Sequence, residues 1–161
     1  MANKVVSNTG PILHLNEINF LKSLNIFSRI FIPEEVLVEL RKNKVIIPKN
    51  VKLIIVKPNF KDTIKIMTNQ YNLNLGEAEA ISLCLQEKVE YFLTDDLDAR
   101  EVAKKYNLEV HGTVGIIVRS FKEKIIDKKT AIEKVREMKT KSSLFITQDL
   151  IEYIINEINE F

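Results

Sequence analysis

The residue types that are scarce in this chain of 161 residues exclude several classes of protein. Cysteine occurs once, at Cys84, so the chain can build neither an internal disulfide framework nor a zinc site from cysteine pairs. Cys84 lies in an apolar helical pattern, and we expect it to be a reduced core residue. No apolar run approaches the roughly 20 residues that a membrane-spanning helix needs.

The first residues show no basic segment followed by a long apolar run, so we expect no secretory signal and a cytoplasmic protein. The net charge is only +2, which is too small to require a polyanionic partner. Basic residues nevertheless cluster locally, and the candidates for contact with nucleic acid are Arg41, Lys42, Lys104 and Lys105. Solvated, lysine-rich helix faces give the same pattern, so charge alone does not decide.

What the chain does contain is an alternation of short apolar runs and amphipathic stretches. Hydrophobic residues make up 45% and charged residues 29%, as in an ordinary globular domain. Strands are predicted at residues 4–7, 29–32, 53–56, 91–93 and 108–110. Helical segments are predicted near residues 11–15, 20–24, 33–40, 62–71, 75–85, 98–106, 114–121, 128–138 and 148–159. This alternation predicts one α/β domain over residues 1–161, with a small parallel sheet and helices on both faces.

The most informative stretch is at residues 91–100, where a short apolar strand runs directly into Asp95, Asp96 and Asp98. In a parallel sheet, ligands bind at the carboxyl ends of the strands. Carboxylates that are crowded there repel one another unless a cation lies between them, and a divalent ion with oxygen ligands is the natural candidate. The alternative is that Thr94, Asp95 or Asp96 caps the next helix, which explains one residue and leaves the others unexplained.

Three residues that lie far from this turn along the chain are expected to meet it. Asn8 follows the first strand, whose carboxyl end lies at the same edge of the sheet. Glu39 lies between apolar neighbours in a helix, and Glu77 lies in the first turn of the helix before the acidic strand. Each residue also has a structural reading: Asn8 as a turn residue, and Glu39 as the partner of a nearby basic side chain. Glu77 fits a capping box that begins at Asn74.

Four segments occur together in the order and spacing that are typical of PIN-domain proteins. They are SNTGPIL at residues 7–13, PEEVLVEL at 33–40, LGEAEAI at 75–81 and LTDDLDAR at 93–100. The chain therefore resembles the PIN-domain family, most closely its archaeal and bacterial subgroup related to VapC toxins. The segment at residues 112–115 is also similar to that subgroup. The resemblance covers a core at residues 4–122, whereas the carboxyl-terminal helices within 127–161 match only loosely.

The resemblance implies a three-layer α/β/α fold and a ribonuclease that depends on Mg²⁺ or Mn²⁺. It assigns the catalytic set to Asn8, Glu39, Glu77 and Asp96. It assigns the metal ligands to Asn8, Glu77, Asp95, Asp96 and Asp98, with support from Thr9, Thr94 and Arg100. The implied partners are RNA, a small antitoxin protein, and a second copy of the chain, with the apolar helices at residues 114–121 and 150–158 as candidate surfaces.

The chemistry of these residues agrees with that reading. A divalent ion with oxygen ligands activates a water and neutralises charge on the phosphate, so no serine, cysteine or histidine nucleophile is needed. We expect His14 and His111 to be helix-face and turn residues.

Asn8 departs from the family pattern, in which aspartate is typical at this position. An amide oxygen can bind a cation but adds no negative charge, so we expect weak metal binding and slow, Mn²⁺-favoured activity. Two related readings stay open: an inactive PIN-like module that binds RNA or protein, and an RNA-processing nuclease without an antitoxin. A receiver-like phosphoacceptor domain fits poorly. It needs an acidic pair after the first strand and a lysine after the last, where this chain has Asn8 and His111.

Overall fold

Short strands alternate with helices throughout the computed structural model, which describes residues 4–161. The strands are β1 (Lys4–Ser7), β2 (Arg29–Ile32), β3 (Val51–Leu53), β4 (Tyr91–Leu93) and β5 (Glu109–His111). The α-helices are α1 (Thr9–Glu17), α2 (Glu34–Lys42), α3 (Lys61–Gln70), α4 (Leu75–Glu87), α5 (Leu97–Lys105), α6 (Thr113–Lys122), α7 (Lys128–Thr140) and α8 (Gln148–Glu160). Two short 3₁₀ helices, Leu21–Ile26 and Pro58–Phe60, complete the described part of the chain.

The five strands form one sheet in the order β3-β2-β1-β4-β5, and every neighbouring pair is parallel. Ser7 at the end of β1 is paired with Leu93 at the end of β4, and Leu93 is paired with His111 at the end of β5. The strand order reverses between β1 and β4. The residues that follow these two strands therefore emerge side by side at one edge of the sheet.

Alternate side chains of the strands point into two separate hydrophobic cores, one on each face of the sheet. Val5 and Ile30 point to the face covered by α1, α2 and α6 to α8, whereas Val6, Phe31 and Phe92 point to the face covered by α3 to α5. Because successive residues of a strand face opposite sides, the apolar residues of the three inner strands are buried on both faces of the sheet. The predicted three-layer α/β/α architecture is confirmed.

The carboxyl-terminal helices are part of the same core as the sheet. Four isoleucines of α8 are buried against it: Ile151, Ile154, Ile155 and Ile158. Ile116 and Ile117 of α6 are buried in this core as well. The apolar faces of α6 and α8 that suggested a surface for a second copy therefore pack mainly within the chain. Leu150 and Tyr153 of α8 remain exposed.

The predicted third strand is wrong in position and in burial. We expected a buried strand at residues 53–56, whereas β3 ends at Leu53 and pairs on one side only. Leu53 is 44% exposed and Ile55 is 56% exposed, because an edge strand is not enclosed by a neighbour on its outer side. The expected helix start at Thr147 is confirmed, since its side chain accepts a hydrogen bond of 3.2 Å from the backbone N–H of Leu150.

Cys84 is buried, and its surroundings raise the pKa of the thiol above its ordinary value through desolvation. Within residues 4–161, none of the helices combines the length and the apolar character that crossing a membrane would require.

Candidate active site

An acidic pocket lies at the carboxyl ends of β1 and β4, where the strand order reverses. In open α/β sheets this position is the usual one for ligands. The pocket has a volume of about 260 Å³. Its lining consists of Asn8, Thr9, Gly10, His14, Glu39, Asn74, Glu77, Asp95, Asp96 and Leu144. The four residues proposed from sequence as the catalytic set thus line one pocket, although they come from four different segments of the chain.

Asn8 is fixed in place by hydrogen bonds at both ends of its amide. It precedes α1 as the N-cap residue, and its Oδ1 accepts a bond of 3.0 Å from the backbone N–H of Thr9. Its Nδ2 donates to Thr94 Oγ1 at 3.2 Å, which joins the ends of β1 and β4. Asn8 is therefore both a capping residue in the turn after β1 and part of the pocket lining.

Glu39 faces the pocket rather than the basic residues beside it in sequence. It lies in α2 and is half-buried, and its Oε2 accepts a hydrogen bond from the hydroxyl of Thr9 at 2.5 Å. A Cβ atom added at Gly76 would lie 3.0 Å from Glu39 Oε1, so the start of α4 packs closely against this carboxylate. Glycine at position 76 leaves room for the carboxylate at that point.

Glu77 closes the capping box that its sequence context predicted. Asn74 Oδ1 accepts from the backbone N–H of Glu77 at 2.8 Å, and Glu77 Oε1 accepts from the backbone N–H of Asn74 at 2.9 Å. Glu77 is nonetheless only 7% exposed. Burial, followed by the charge and proximity of Asp96 and the charge of Asp98, raises the pKa of Glu77 to about 7 despite the opposing effect of the hydrogen bond from Asn74.

Asp96 also combines a structural role with a place in the pocket. It is the N-cap of α5, and its Oδ2 accepts a hydrogen bond of 2.8 Å from the backbone N–H of Ala99. Its carboxyl group lines the same pocket as that of Glu77, and its charge contributes to the raised pKa of Glu77 after the larger effect of burial. Carboxyl groups from the first turn of α4 and from the N-cap of α5 therefore share the pocket at the switch point of the sheet. Asp98 is exposed in the first turn of α5, and it contributes charge to this region without lining the pocket.

Both carboxylate oxygens of Asp95 are already engaged by other groups of the protein. Its Oδ1 accepts from the backbone N–H of Thr113 at 2.7 Å, and its Oδ2 accepts from the hydroxyl of Thr113 and lies 2.7 Å from Nδ1 of His14. Burial by itself would raise the pKa of Asp95, but the hydrogen bonds from His14 and Thr113 outweigh it and hold the pKa below its ordinary value. Asp95 thus joins the end of β4 to His14 of α1 and to the start of α6.

Thr94 and Arg100 support the turn that carries the aspartates. Thr94 Oγ1 accepts from the backbone N–H of Asp96 at 3.2 Å in addition to the bond from Asn8, and the residue is fully buried. Arg100 Nη2 donates to the carbonyl oxygen of Thr94 at 3.2 Å. A Cβ atom at Gly112 would lie 2.8 Å from Asp95 Oδ1 and 3.0 Å from Arg100 Nη2, so only glycine fits between them.

Five residues of the site were not assigned to it from sequence: Gly10, His14, Asn74, Thr113 and Leu144. His14 was expected on a helix face and lies in the pocket wall, where it contacts Asp95. The spacing of Gly112 and Thr113 after β5 was visible in the sequence, but the bond from Thr113 to Asp95 depends on the pairing of β4 with β5. Leu144 comes from the loop between α7 and α8, and nothing in its local sequence marks it.

The proposed nucleic-acid contacts are at the far ends of their helices. Arg41 and Lys42 are exposed in the last turn of α2, and Lys104 and Lys105 are in the last turn of α5. Lys104 lies 3.6 Å from Glu101, and Lys105 lies over the ring of Tyr71 at 4.5 Å. Lys104 is about 12 Å along the helix axis from the end of α5 that carries Asp96.

Among residues 4–161, no three acidic, histidine or cysteine side chains are grouped closely enough to hold a metal ion by themselves. The pocket offers instead the pair of Glu77 and Asp96, with the carboxylate of Glu39 and the amide oxygen of Asn8 also in its lining. All of these donors are oxygen atoms, which suit hard cations such as Mg²⁺ and Mn²⁺. The donor chemistry fits such an ion.

A parallel sheet between two helical layers, with acidic side chains at its switch point, defines an α/β protein whose ligand site is at the strand ends. A family model described as a PIN domain matches residues 4–160. The chain therefore belongs to the PIN-domain family, whose members are generally nucleases that act on nucleic acid and typically bind divalent metals. The matched range continues through α7 and most of α8. Comparisons with curated proteins and with solved structures find no match.

Proposed function

We propose that the protein is a ribonuclease that hydrolyses RNA phosphodiesters with Mg²⁺ or Mn²⁺ held in the acidic pocket. The observation that carries this proposal is that Glu77 and Asp96 line one pocket at the switch point of the sheet. Each carboxyl group uses only one oxygen for capping, yet both lie in this pocket, where burial and then the charge of Asp96 raise the pKa of Glu77. A structural role alone does not require this proximity.

The residues that would hold the ion are Glu77 and Asp96, and Asn8 and Glu39 offer further oxygen atoms in the same lining. Mg²⁺ usually keeps several waters and takes one or two carboxylates from the protein, so a pair of acids with neighbouring oxygens is sufficient. When bound, the ion neutralises charge on the phosphate and makes a bound water a better nucleophile. Asp95 is left out of this set, because both of its oxygens already accept hydrogen bonds from the protein.

The other residues of the pocket hold these groups in position. Thr9 fixes one oxygen of Glu39, and Asn74 fixes one oxygen of Glu77. Thr94 holds the amide of Asn8 and, through the backbone, the start of the turn at Asp96. Orientation of this kind matters because small displacements of catalytic groups reduce rates strongly.

The cellular role that we propose is that of a cytoplasmic toxin in a toxin–antitoxin pair. Its partner would be a small antitoxin that covers the acidic pocket with a basic or apolar peptide, which agrees with the excess of carboxylates in the lining. A nuclease that processes RNA without an antitoxin is the main alternative. A gene for a small protein next to the gene for this chain supports the toxin role, and its absence favours the alternative.

A second candidate function is a PIN-like module that binds RNA or protein without cutting it. The state of Asn8 favours it: the residue has no charge, and both ends of its amide are engaged in hydrogen bonds with Thr9 and Thr94. The first proposal requires the oxygen of Asn8 to contact a cation while it still accepts the bond from Thr9.

The test is cleavage of end-labelled single-stranded RNA in Mn²⁺, with EDTA as the metal-free control. We expect slow cleavage by the wild type, and a loss on the order of 100-fold in Glu77→Gln and Asp96→Asn. Both substitutions keep their caps, because glutamine suits a capping box and asparagine is a good N-cap. Glu101→Gln is the matched control, since Glu101 is exposed on α5 away from the pocket.

Two results count against the nuclease. Cleavage that is unchanged in EDTA, or that is the same in Asp96→Asn as in the wild type, contradicts the proposed site. Binding of RNA without any cleavage supports the second candidate function instead.

A further inference from the structure

An apolar groove lies beside the acidic pocket and shares part of its wall. The groove has a volume of about 420 Å³, and Asp95 and Leu144 line both spaces. Its other apolar walls include Leu97, Val114, Phe145 and Leu150. A polymer that passes through the acidic pocket would therefore meet the groove at the next position along its length.

The most exposed side chain of the groove is an aromatic ring. Phe145 is 89% exposed, and Leu97, which also lines the groove, is 75% exposed. Phe145 is nevertheless on an anchored loop. On one side, the backbone N–H and hydroxyl of Ser143 both bond to Glu17 Oε1, at 2.9 and 2.8 Å. On the other side, Ile146 is buried in the core. The protein thus holds a large apolar ring in water at a fixed place, which folding does not explain.

The groove also contains a fixed positive charge. Arg100 lines it, and its Nη2 is held by the carbonyl of Thr94. Among residues 4–161, no carboxylate forms an ion pair with Arg100. The carboxylate of Asp95 also lines the groove, but both of its oxygens are engaged by Thr113 and His14. An exposed ring beside a guanidinium that forms no ion pair suits a ligand that has both a planar apolar part and a negative charge. Single-stranded nucleic acid has both, because its bases stack on aromatic rings and its phosphates attract arginine.

We propose that this groove binds a nucleobase of single-stranded RNA, stacked on Phe145, next to the phosphate in the acidic pocket. The inference rests on the proposed nuclease function and adds a second binding site, in which Phe145 would hold one base that has turned out of the stack. A double-stranded RNA cannot present a base in this way without unpairing it. Base stacking of this kind is tolerant of sequence, so the groove supplies affinity and strand selectivity rather than a sequence code.

The first test uses the absence of tryptophan from the chain. Phe145→Trp, made in the Asp96→Asn background so that RNA stays intact, gives a single tryptophan in the groove. We expect a short single-stranded oligoribonucleotide to quench its fluorescence, and an abasic strand of equal length to leave it unchanged. The control is Ile46→Trp, since Ile46 is 84% exposed in the loop that leads to the opposite end of the sheet.

The second test is kinetic and separates this inference from the nuclease proposal. Phe145→Ala should raise KM for single-stranded RNA about fivefold, the lower end of the effect of a stacked base, with little change in kcat. Phe145→Tyr should restore KM. If the wild type cleaves RNA but Phe145→Ala has the same KM and the tryptophan is not quenched, the groove assignment is wrong while the nuclease stands.

Three other outcomes also decide the matter. Equal quenching by the abasic strand shows contact with the backbone only and overturns the stacking proposal. A change in tryptophan emission that depends on protein concentration without RNA shows that a second copy of the chain fills the groove, which also overturns it. Quenching of the tryptophan variant by RNA, together with a lack of cleavage by the wild type in Mn²⁺, supports the base site but refutes the nuclease.

Discussion

The titration of Glu77 gives the most detailed prediction from this structure. The pKa of Glu77 is raised from 4.5 to about 7 in the folded protein, mainly by burial and then by Asp96. Between about pH 4.5 and 7 the folded state therefore holds a proton that the unfolded state has lost. The contribution of Glu77 to stability is complete below this window, falls as the pH rises through it, and is lost above about pH 7.

The size of this effect follows from the shift in pKa. One pKa unit corresponds to about 1.4 kcal/mol, so full shielding of Glu77 would give about 3 kcal/mol, and water in the open pocket reduces this to about 2 kcal/mol. Glu77→Gln removes the titration and keeps the capping box with Asn74. We expect the stability of the variant relative to the wild type to rise by about 2 kcal/mol from about pH 5 to pH 8.

The assay is urea unfolding in EDTA at several pH values, with the free energy of unfolding of each protein compared at each pH. Other groups titrate in the same range: His111 has a lowered pKa, caused mainly by burial, and Glu79 has a raised one, also mainly through burial. Their contributions cancel because both proteins contain them. Adding Mn²⁺ at pH 8 should then stabilise the wild type more than the variant. A difference that does not depend on pH would refute the argument that Glu77 is shielded and close to Asp96.

Two further substitutions test other parts of the site. Asn8→Asp should increase Mn²⁺ affinity and RNA cleavage about tenfold, because it adds a negative charge to the ligand set. The Thr94 hydroxyl, which now accepts from Asn8, can donate to the new carboxylate instead. Calorimetric titration with Mn²⁺ and the cleavage assay measure these changes, and equal values for both proteins would remove position 8 from the site. Gly112→Ala should destabilise the fold by about 1 to 3 kcal/mol in thermal unfolding, because its Cβ would meet Asp95 Oδ1 at 2.8 Å. Gly115→Ala is its matched control: no atom lies within 4 Å of the added Cβ. We expect it to be neutral or slightly stabilising in α6, and equal losses in the two variants would contradict the close approach at Gly112.

The sequence was sufficient to predict the alternating fold and the place where its acidic residues gather. Apolar runs that end in Asn8 and in Asp95–Asp96 predict strands with polar carboxyl ends, and parallel pairing then brings those ends together. The capping box of Asn74 and Glu77 was equally visible, because it depends on residues three positions apart.

The parts that were not predicted depend on contacts between distant elements. Asp95 looks like a ligand in sequence, but its bonds to His14 and Thr113 are set by the positions of α1 and α6 around β4. The edge position of β3 made an apolar run partly exposed, which its composition does not reveal. Phe145 reads as an ordinary apolar residue until the anchors on either side of it are known.

The claim that is central to this account is that Glu77 and Asp96 share one divalent ion. Diffraction from crystals of the protein grown with Mn²⁺, recorded near the manganese absorption edge, tests it most directly. The account predicts an anomalous peak in the acidic pocket within coordinating distance of both carboxyl groups, and the same peak weakened or absent in Glu77→Gln. A wild-type pocket without a peak at saturating Mn²⁺, or a peak bound only outside the pocket, would contradict the account.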